Sequence, residues 1–214
     1  MSVIDALEGF QARPVDAHGG IDLGGCDMIF DATVLSASRR IVSAAGEAGI
    51  PVIVATSGWT AADAEALAAD DAKGVRIIPN FSIGSVVATH IATVAARHLD
   101  YAEVIEAHHD GKRDAPSGTA TRTAERIAQI RPQTPPTPDE PGRGTMVAGV
   151  PVHALRMPGV SAWQEVRFGG TGETLTIRHD TLTSESYAAG IRLAISSPPP
   201  AGVAIGLDDL LGLV

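Results

Sequence analysis

From residue 27 to residue 99, short apolar runs rich in β-forming residues alternate with longer helix-like segments, and this alternation restricts the fold more than any other feature. The strand-like runs are 27–31, 51–55 and 75–78, and the helix-like segments are 36–48, 61–69 and 82–99. The runs are not polar at every second position, so helices are expected to cover both faces of the sheet that they form. The sequence therefore predicts an α/β domain with a parallel sheet.

The second half of the chain follows a different pattern. The predicted elements are a strand at 103–109, a helix that begins near Gly118, a Pro-, Thr- and Gly-rich loop at 131–149, strands at 150–157, 164–168 and 173–179, and a helix at 184–195. We expect the last three strands to be antiparallel, and the whole to be an α+β domain with a mixed sheet. This domain is placed at 85–195, while 1–84, joined by 196–214, forms the α/β part.

Composition limits the partners and the location of the protein. Sixteen Lys and Arg residues against 25 Asp and Glu give a formal net charge of −9, which argues against a nucleic-acid or anionic-membrane surface. A small anionic ligand needs only a local positive pocket, so it stays possible. No apolar run approaches the roughly twenty residues that cross a bilayer, and the acidic start does not resemble a signal peptide. We expect a cytoplasmic protein.

Metal and disulfide chemistry are not expected. Cys26 is the single cysteine, which excludes an internal disulfide and a cysteine-based zinc site. The sequence has no pair of metal ligands at helical spacing, so we predict no metal.

The densest group of reactive side chains is the segment HHDGKRDAPSGTA at 108–120, where a strand ends and a helix begins. Ser117 is a natural helix cap, and the N–H groups of Gly118 and Thr119 are positioned to bind an anion. His108, His109 and Lys112 add positive charge and transferable protons. The segment predicts a carboxylate-binding pocket with its own acid, and the simpler alternative is a solvated loop with an ordinary cap.

This segment, preceded by Glu-Val-Ile-Glu, closely resembles the signature of the dihydrodipicolinate reductase family, enzymes of lysine and diaminopimelate synthesis. Further similarity lies at 31–33, 55–58, 79–84, 172–173 and 179–180. The resemblance implies a Rossmann-like domain, truncated here, followed by a domain that binds substrate and joins four subunits into a homotetramer. It implies that His108 is an acid or base and Lys112 a proton donor, and that the carboxylates of the substrate bind His109, Ser117, Gly118 and Thr119.

The sequence also departs from the family pattern. No Gly-rich loop of the kind that holds a dinucleotide pyrophosphate precedes Asp27, and Ala55-Thr56-Ser57-Gly58 replaces the family's Gly-Thr-Thr-Gly. Trp163 stands where relatives often carry histidine, and we expect it to contact substrate, although a packing role is equally possible. If a nicotinamide cofactor binds, the resemblance places it against Ala55, Thr56, Ser57, Pro79, Asn80, Phe81 and Ser82.

Three functions follow from this mixture. The first is a repurposed enzyme without a cofactor, which performs dehydration, cyclisation or isomerisation on a cyclic imine or enamine carboxylate. The alternative is reduction of 4-hydroxy-tetrahydrodipicolinate with NADPH or NADH. The third is a non-catalytic subunit that pairs with a complete homologue.

Overall fold

The computed structural model describes residues 4, 7–14, 21–69, 74–132 and 140–213. The chain divides into two compact units, of which the first is Met1–Phe81 with Tyr187–Val214 and the second is Ser82–Ser186. The sequence placed the boundaries at 84/85 and 195/196. The second boundary lies earlier because the helix that follows residue 187 belongs to the core of the first unit, where Ala194 and Ile195 pack with Ile53.

In chain order, the strands are β1 (Ile29–Asp31), β2 (Val52–Val54), β3 (Val75–Ile77), β4 (Tyr101–His108), β5 (Thr145–Val147), β6 (Val150–Arg156), β7 (Ala162–Gly170), β8 (Glu173–Thr181) and β9 (Val203–Ile205). The helices are α1 (Leu35–Ala48), α2 (Ala61–Ala69), α3 (Ile83–Ala95), α4 (Gly118–Ile130) and α5 (Ala188–Ser196). Short 3₁₀ turns occupy Pro141–Arg143 and Ser184–Tyr187.

The first unit contains a four-stranded parallel sheet in the order β1-β2-β3-β9. Its central strand β2 is buried at every position, as expected for an apolar run covered on both faces. Gly49 follows the last residue of α1 and terminates the helix, because its φ of 70° is a left-handed conformation that glycine adopts without strain. Thr60 caps α2, because its hydroxyl accepts a hydrogen bond from the N–H of Asp63 at 3.1 Å.

The second unit contains a five-stranded mixed sheet in the order β5-β6-β4-β7-β8. The prediction that 150–157 and 164–168 belong to one antiparallel series is wrong in one respect. Strand β6 runs parallel to β4, and β4 lies between β6 and β7. Strands β7 and β8 form an antiparallel hairpin as expected, with a turn at Thr171 and Gly172.

One face of the mixed sheet packs against α3 and α4. The core between them is apolar and includes Ala92 of α3 and Ala96 directly after it, Ala124 and Ile127 of α4, and Val104 of β4. Because side chains alternate along a strand, Glu103 and Ile105 point to the opposite face. The parallel sheet of the first unit and the mixed sheet of the second confirm the predicted fold class.

Candidate functional site

A buried carboxylate organises the carboxyl end of β4. Glu106 is fully buried and accepts two hydrogen bonds from the guanidinium of Arg156, at 2.8 and 2.9 Å. The same carboxylate accepts the backbone N–H of Ser117 at 3.0 Å and faces Nδ1 of His108 at 2.6 Å. Burial alone raises the pKa of Glu106, but the hydrogen bonds from His108, Arg156 and Ser117 outweigh it and lower the pKa to about 2.

This ionised carboxylate determines how His108 is protonated. A carboxylate without a proton can only accept hydrogen bonds, so Nδ1 of His108 must be the donor. The other ring nitrogen, Nε2, is then the one through which the imidazole can exchange a proton with a ligand. The side chain of His108 is 20% exposed, which leaves it accessible at the end of the strand.

Helix α4 begins directly beside this pair. The hydroxyl of Ser117 accepts the N–H of Ala120 at 3.2 Å, so Ser117 is the helix cap that the sequence predicts. Gly118 and Thr119 form the first turn, where backbone N–H groups and the helix dipole favour an anion. A methyl group added at Gly118 would have nothing within 4 Å, so a ligand could approach the backbone here closely.

The loop between β4 and α4 carries Lys112. Its Nζ lies 2.7 Å from Oδ1 of Asp114, and its side chain is 24% exposed. The hydrogen bond from Lys112 lowers the pKa of Asp114. The backbone N–H of Lys112 donates to the carbonyl of His109 at 3.1 Å, which closes a tight turn and leaves His109 exposed. Ionised Asp114 is therefore the partner that holds the Lys112 ammonium.

The structure places the predicted site residues unequally. It brings His108 next to Ser117 through Glu106, and α4 begins there with Gly118 and Thr119. It does not bring Trp163 to them. Trp163 pairs with Ala107 and therefore lies on the opposite face of the sheet from Glu106, where the guanidinium of Arg178 stacks 4.3 Å from the centre of its ring.

Sequence reasoning missed Glu106 and Arg156, although one signal was available. Glu106 is an acidic residue that alternates with the apolar residues Ala102 and Val104 on one face of β4, and it lies two positions before His108 on the same face. An unpaired carboxylate would be too costly there, so a cationic partner had to be present. The partner Arg156 could not have been identified, because it is fifty residues away and the parallel pairing of β6 with β4 brings it close.

The residues predicted to contact a cofactor lie in loops at the carboxyl ends of the parallel strands. Thr56 follows β2, and its hydroxyl donates to the buried carboxylate of Asp31 at 3.0 Å. The hydroxyl of Thr33 donates to the same carboxylate at 2.6 Å and its N–H donates to Oγ1 of Thr56 at 2.9 Å, so the loops after β1 and β2 are tied together. Ala55 is half-buried and Ser57 is exposed.

The loop after β3 is anchored at its far end. Pro79 is exposed, Asn80 is half-buried, and Phe81 is buried with its ring 5.6 Å from that of Phe30. Ser82 caps α3 by accepting the N–H of Ser85 at 3.4 Å and belongs to the second unit.

The loops at the carboxyl edge of the parallel sheet stand where a nicotinamide group would bind. Ligands of open parallel sheets bind at the carboxyl ends of the strands, and the loops after β1 and β2 are fixed there by Asp31. In the described stretches 7–14 and 21–28, no strand, glycine-rich loop and helix follow one another. We therefore assign no residue to a pyrophosphate.

The described residues contain neither a cluster of metal ligands nor a helix suited to a membrane. Within ranges 7–14, 21–69, 74–132 and 140–213, no group of three or more His, Cys, Asp or Glu side chains is arranged to hold a metal ion. In the same part of the chain, no helix has both the length and the apolar character to cross a membrane.

Comparison with known proteins gives a consistent result. A family model described as dihydrodipicolinate reductase, C-terminus, matches residues 84–211. A 4-hydroxy-tetrahydrodipicolinate reductase of Clavibacter sepedonicus is 45% identical over 222 residues, which cover 99% of this chain and 80% of the relative. A protein of the same name from Clavibacter michiganensis subsp. michiganensis is 48% identical over 201 residues, which cover 90% and 73%.

A solved structure is also similar. It is the dipicolinate-bound dihydrodipicolinate reductase from Paenisporosarcina sp. TG-14, with a TM-score of 0.71 and 32% sequence identity. The match covers 86% of this chain and 73% of that chain.

The hypothesis of a repurposed, non-redox enzyme is wrong. Relatives that are 45% and 48% identical over most of this chain are named reductases, and none of these names describes a lyase or an isomerase. The hypothesis relied on the lack of a Gly-rich loop before Asp27 and on the altered segment at 55–58, whereas the relatives match 99% and 90% of this chain. The expectation that no cofactor binds loses its support for the same reason.

Proposed function

The chain belongs to the dihydrodipicolinate reductase family of enzymes, and from that premise we propose that it reduces 4-hydroxy-tetrahydrodipicolinate, or the cyclic imine formed from it, with NADPH or NADH. The observation that carries the proposal is the pairing of His108 with buried Glu106 at the start of α4, within the segment that matches the family model. We place the reaction in the cytoplasm and assign it to lysine and diaminopimelate synthesis.

The second unit would bind the dicarboxylate substrate. One carboxylate accepts hydrogen bonds from the backbone N–H groups of Gly118 and Thr119, where the dipole of α4 adds to the attraction. His109 and the ammonium of Lys112 supply positive charge to the rest of the molecule. Because hydrogen bonds to charged groups are each worth about 1.5–3 kcal/mol, this set selects a dianionic ring over a neutral one.

Proton transfer in this proposal belongs to His108 and Lys112. Loss of the 4-hydroxyl group as water converts the substrate into a conjugated cyclic imine. Reduction of this imine adds a hydride to carbon, and the electron pair that this displaces must accept a proton. Lys112, held by Asp114 at 2.7 Å, is the proton donor to the reduced ring. His108 acts as an acid or base through Nε2, since Glu106 engages Nδ1. Trp163 has no role in this pocket, because it lies on the other face of the sheet.

The first unit would bind the cofactor, which supplies the hydride when it is bound. Thr56 and Ser57 after β2, and Pro79, Asn80 and Phe81 after β3, would line the nicotinamide. Asp31 would keep the loop after β2 in place through its bond with Thr56. We also propose a homotetramer, assembled through the face of the mixed sheet that carries Glu103 and partly exposed Leu155.

A coupled assay tests the proposal. The full chain is supplied with the enzymatically prepared substrate and NADPH or NADH, and oxidation of the cofactor is followed by absorbance. We expect turnover, and we expect His108→Gln and Lys112→Met each to lower kcat by about 10²–10⁴-fold. His98→Gln changes an exposed histidine of the same unit and should leave kcat unchanged. A chain that is folded but gives no substrate-dependent oxidation with either cofactor would refute the proposal.

A further inference from the structure

Glu106 accepts four hydrogen bonds, two from Arg156, one from the backbone of Ser117 and one from His108. We propose that Glu106 is a positioning residue for the reaction: it keeps His108 in the tautomer with the proton on Nδ1 and fixes it relative to the anion-binding start of α4, while Arg156 holds Glu106 in place. This inference rests on the proposed function, because it assigns a task to His108 in that reaction.

The geometry shows that Glu106 acts through another residue rather than on the substrate. Its Oε1 accepts from Nη2 of Arg156 at 2.9 Å and from the N–H of Ser117 at 3.0 Å. Its Oε2 accepts from Nη1 of Arg156 at 2.8 Å and from Nδ1 of His108 at 2.6 Å. A carboxylate has about four lone-pair positions, and all of these are used. Glu106 therefore has no position left for a substrate proton.

The charge balance makes this arrangement stable. A carboxylate that is fully buried without a partner would take up a proton instead of staying ionised. The two-pronged contact with Arg156 supplies the compensating charge in the geometry that guanidinium and carboxylate groups favour. Arg156 is itself held by the carbonyl oxygens of Leu155 and Asp114, each at 2.6 Å. The acceptor that faces His108 is thus ionised near neutral pH and held at both oxygens by Arg156.

The same carboxylate links the acid to the anion site. The N–H of Ser117 donates to Glu106, and the hydroxyl of Ser117 caps α4 through the N–H of Ala120. Displacement of Glu106 would therefore move both the imidazole and the first turn of the helix. A misplacement of about 1 Å can lower a catalytic rate by about 10²-fold. By binding both His108 and the N–H of Ser117, Glu106 fixes the distance between the imidazole and the anion-binding start of α4.

Glu106→Gln tests the tautomer directly. The amide oxygen can take the Oε1 position and keep the bonds from Ser117 and from Nη2 of Arg156. The NH₂ group then takes the Oε2 position, where it faces Nδ1 of His108 and loses the bond from Nη1 of Arg156. The reverse orientation would lose both bonds at Oε1, so the first one is expected. An NH₂ group is a donor, so Nδ1 of His108 must become the acceptor and its proton must move to Nε2. Nitrogen-15 spectra of the imidazole rings, assigned by difference with His108→Gln, should show the Nδ1-protonated form in the wild type and the Nε2-protonated form in Glu106→Gln.

Kinetics provide the second measurement. We expect Glu106→Gln to lower kcat by roughly 10²-fold or more, the usual contribution of a general acid or base, with the KM for substrate changed less than about threefold. Because Glu106 acts through His108, Glu106→Gln should have little further effect in a His108→Gln background. If the two substitutions instead lower kcat multiplicatively, Glu106 acts independently of His108 and the proposal is wrong.

Glu103→Gln is a matched control on the same strand. Glu103 also joins a histidine and an arginine, with Nε2 of His153 at 2.8 Å and Nη2 of Arg143 at 2.6 Å, but it lies on the opposite face. Glu103→Gln should not change the tautomer of His108. It should also leave kcat unaltered, provided that light scattering shows the same oligomeric state as the wild type. An unchanged His108 spectrum in Glu106→Gln overturns the inference even if the wild type proves to lack reductase activity. Wild-type inactivity alone overturns only the proposed function.

Discussion

Two helical glycines allow a stringent test of how the first unit is packed. Gly190 in α5 is buried, and a methyl group added there would overlap the carbonyl oxygen of Phe81 and lie 3.1 Å from Cδ1 of Leu207. Gly46 in α1 is exposed, and a methyl group there would have nothing within 4 Å. Alanine is favoured over glycine in a helix by about 0.8–1 kcal/mol at either position. The packing cost is expected only at Gly190.

The magnitudes follow from these contacts. The neighbour of Gly190 is a backbone carbonyl, which cannot rotate away, so the overpacking cost should reach the upper end of the usual range, about 3 kcal/mol. After the gain in helix propensity, Gly190→Ala should destabilise the first unit by roughly 2 kcal/mol. Gly46→Ala should stabilise it by about 0.5–1 kcal/mol.

Urea unfolding followed by tryptophan fluorescence measures both variants. Trp59 lies in the first unit and Trp163 in the second, so a Trp163→Phe background makes the signal specific to the first unit. Gly190→Ala should also raise the KM for NADPH, because Phe81 belongs to the loop proposed to line the nicotinamide, while Gly46→Ala should not. If Gly190→Ala proves as stable as Gly46→Ala, the close contact between α5 and the loop after β3 does not exist.

Two further predictions concern a helix cap and an ion pair. Ser117→Ala removes the acceptor for the N–H of Ala120 and should lower the free energy of unfolding, measured in urea, by about 1 kcal/mol. Ser117→Thr keeps a hydroxyl and should retain most of the wild-type stability. Equal losses in both variants would show that the hydroxyl is not the cap. The hydrogen bond from buried Arg76 lowers the pKa of Asp209 in the folded protein. This ion pair therefore stabilises the fold above the unfolded pKa of about 3.9, and the stabilisation is lost as the pH falls through the lower folded pKa. Asp209→Asn should therefore be less stable than the wild type at neutral pH, with the difference shrinking below about pH 4; a constant difference down to acid pH would contradict this assignment.

The sequence predicts a strand well when the strand is a continuous apolar run, because such a run indicates burial on both faces. Strand β2 was placed within one residue at each end because Val52–Val54 is an apolar run that is buried on both faces. The three-residue strands β5 and β9 were missed. Strand β5 joins β6 through Ala148 and Gly149, whose φ values are 49° and 85°. Such a turn is normally signalled by Asn-Gly or Asp-Gly, and alanine gives no such signal.

The pairing of strands was harder to predict than their existence. Strand β6 follows β4 in parallel because α4 connects the two, and only that crossover brings Arg156 beside Glu106. The pattern of apolar and polar residues does not show which strands pair across such a connection. The predicted loop at 131–149 separates α4 from β6, and its sequence does not indicate where the chain returns to the sheet. Ser117 could be predicted as a cap from neighbouring residues alone, whereas the carboxylate that binds its N–H could not.

Strand β4 shows that a carboxylate next to a histidine and an arginine is not sufficient evidence of a catalytic site. It carries two carboxylates, Glu103 and Glu106, and each binds one histidine and one arginine at hydrogen-bond distance. Composition and charge cannot rank them. They differ in direction, because an odd separation places them on opposite faces of the strand. Glu106 faces the capped start of α4, where backbone N–H groups can bind an anion, while Glu103 faces away from that helix. The chemical task of a carboxylate–histidine pair in this sheet is therefore determined by what the face of the strand packs against.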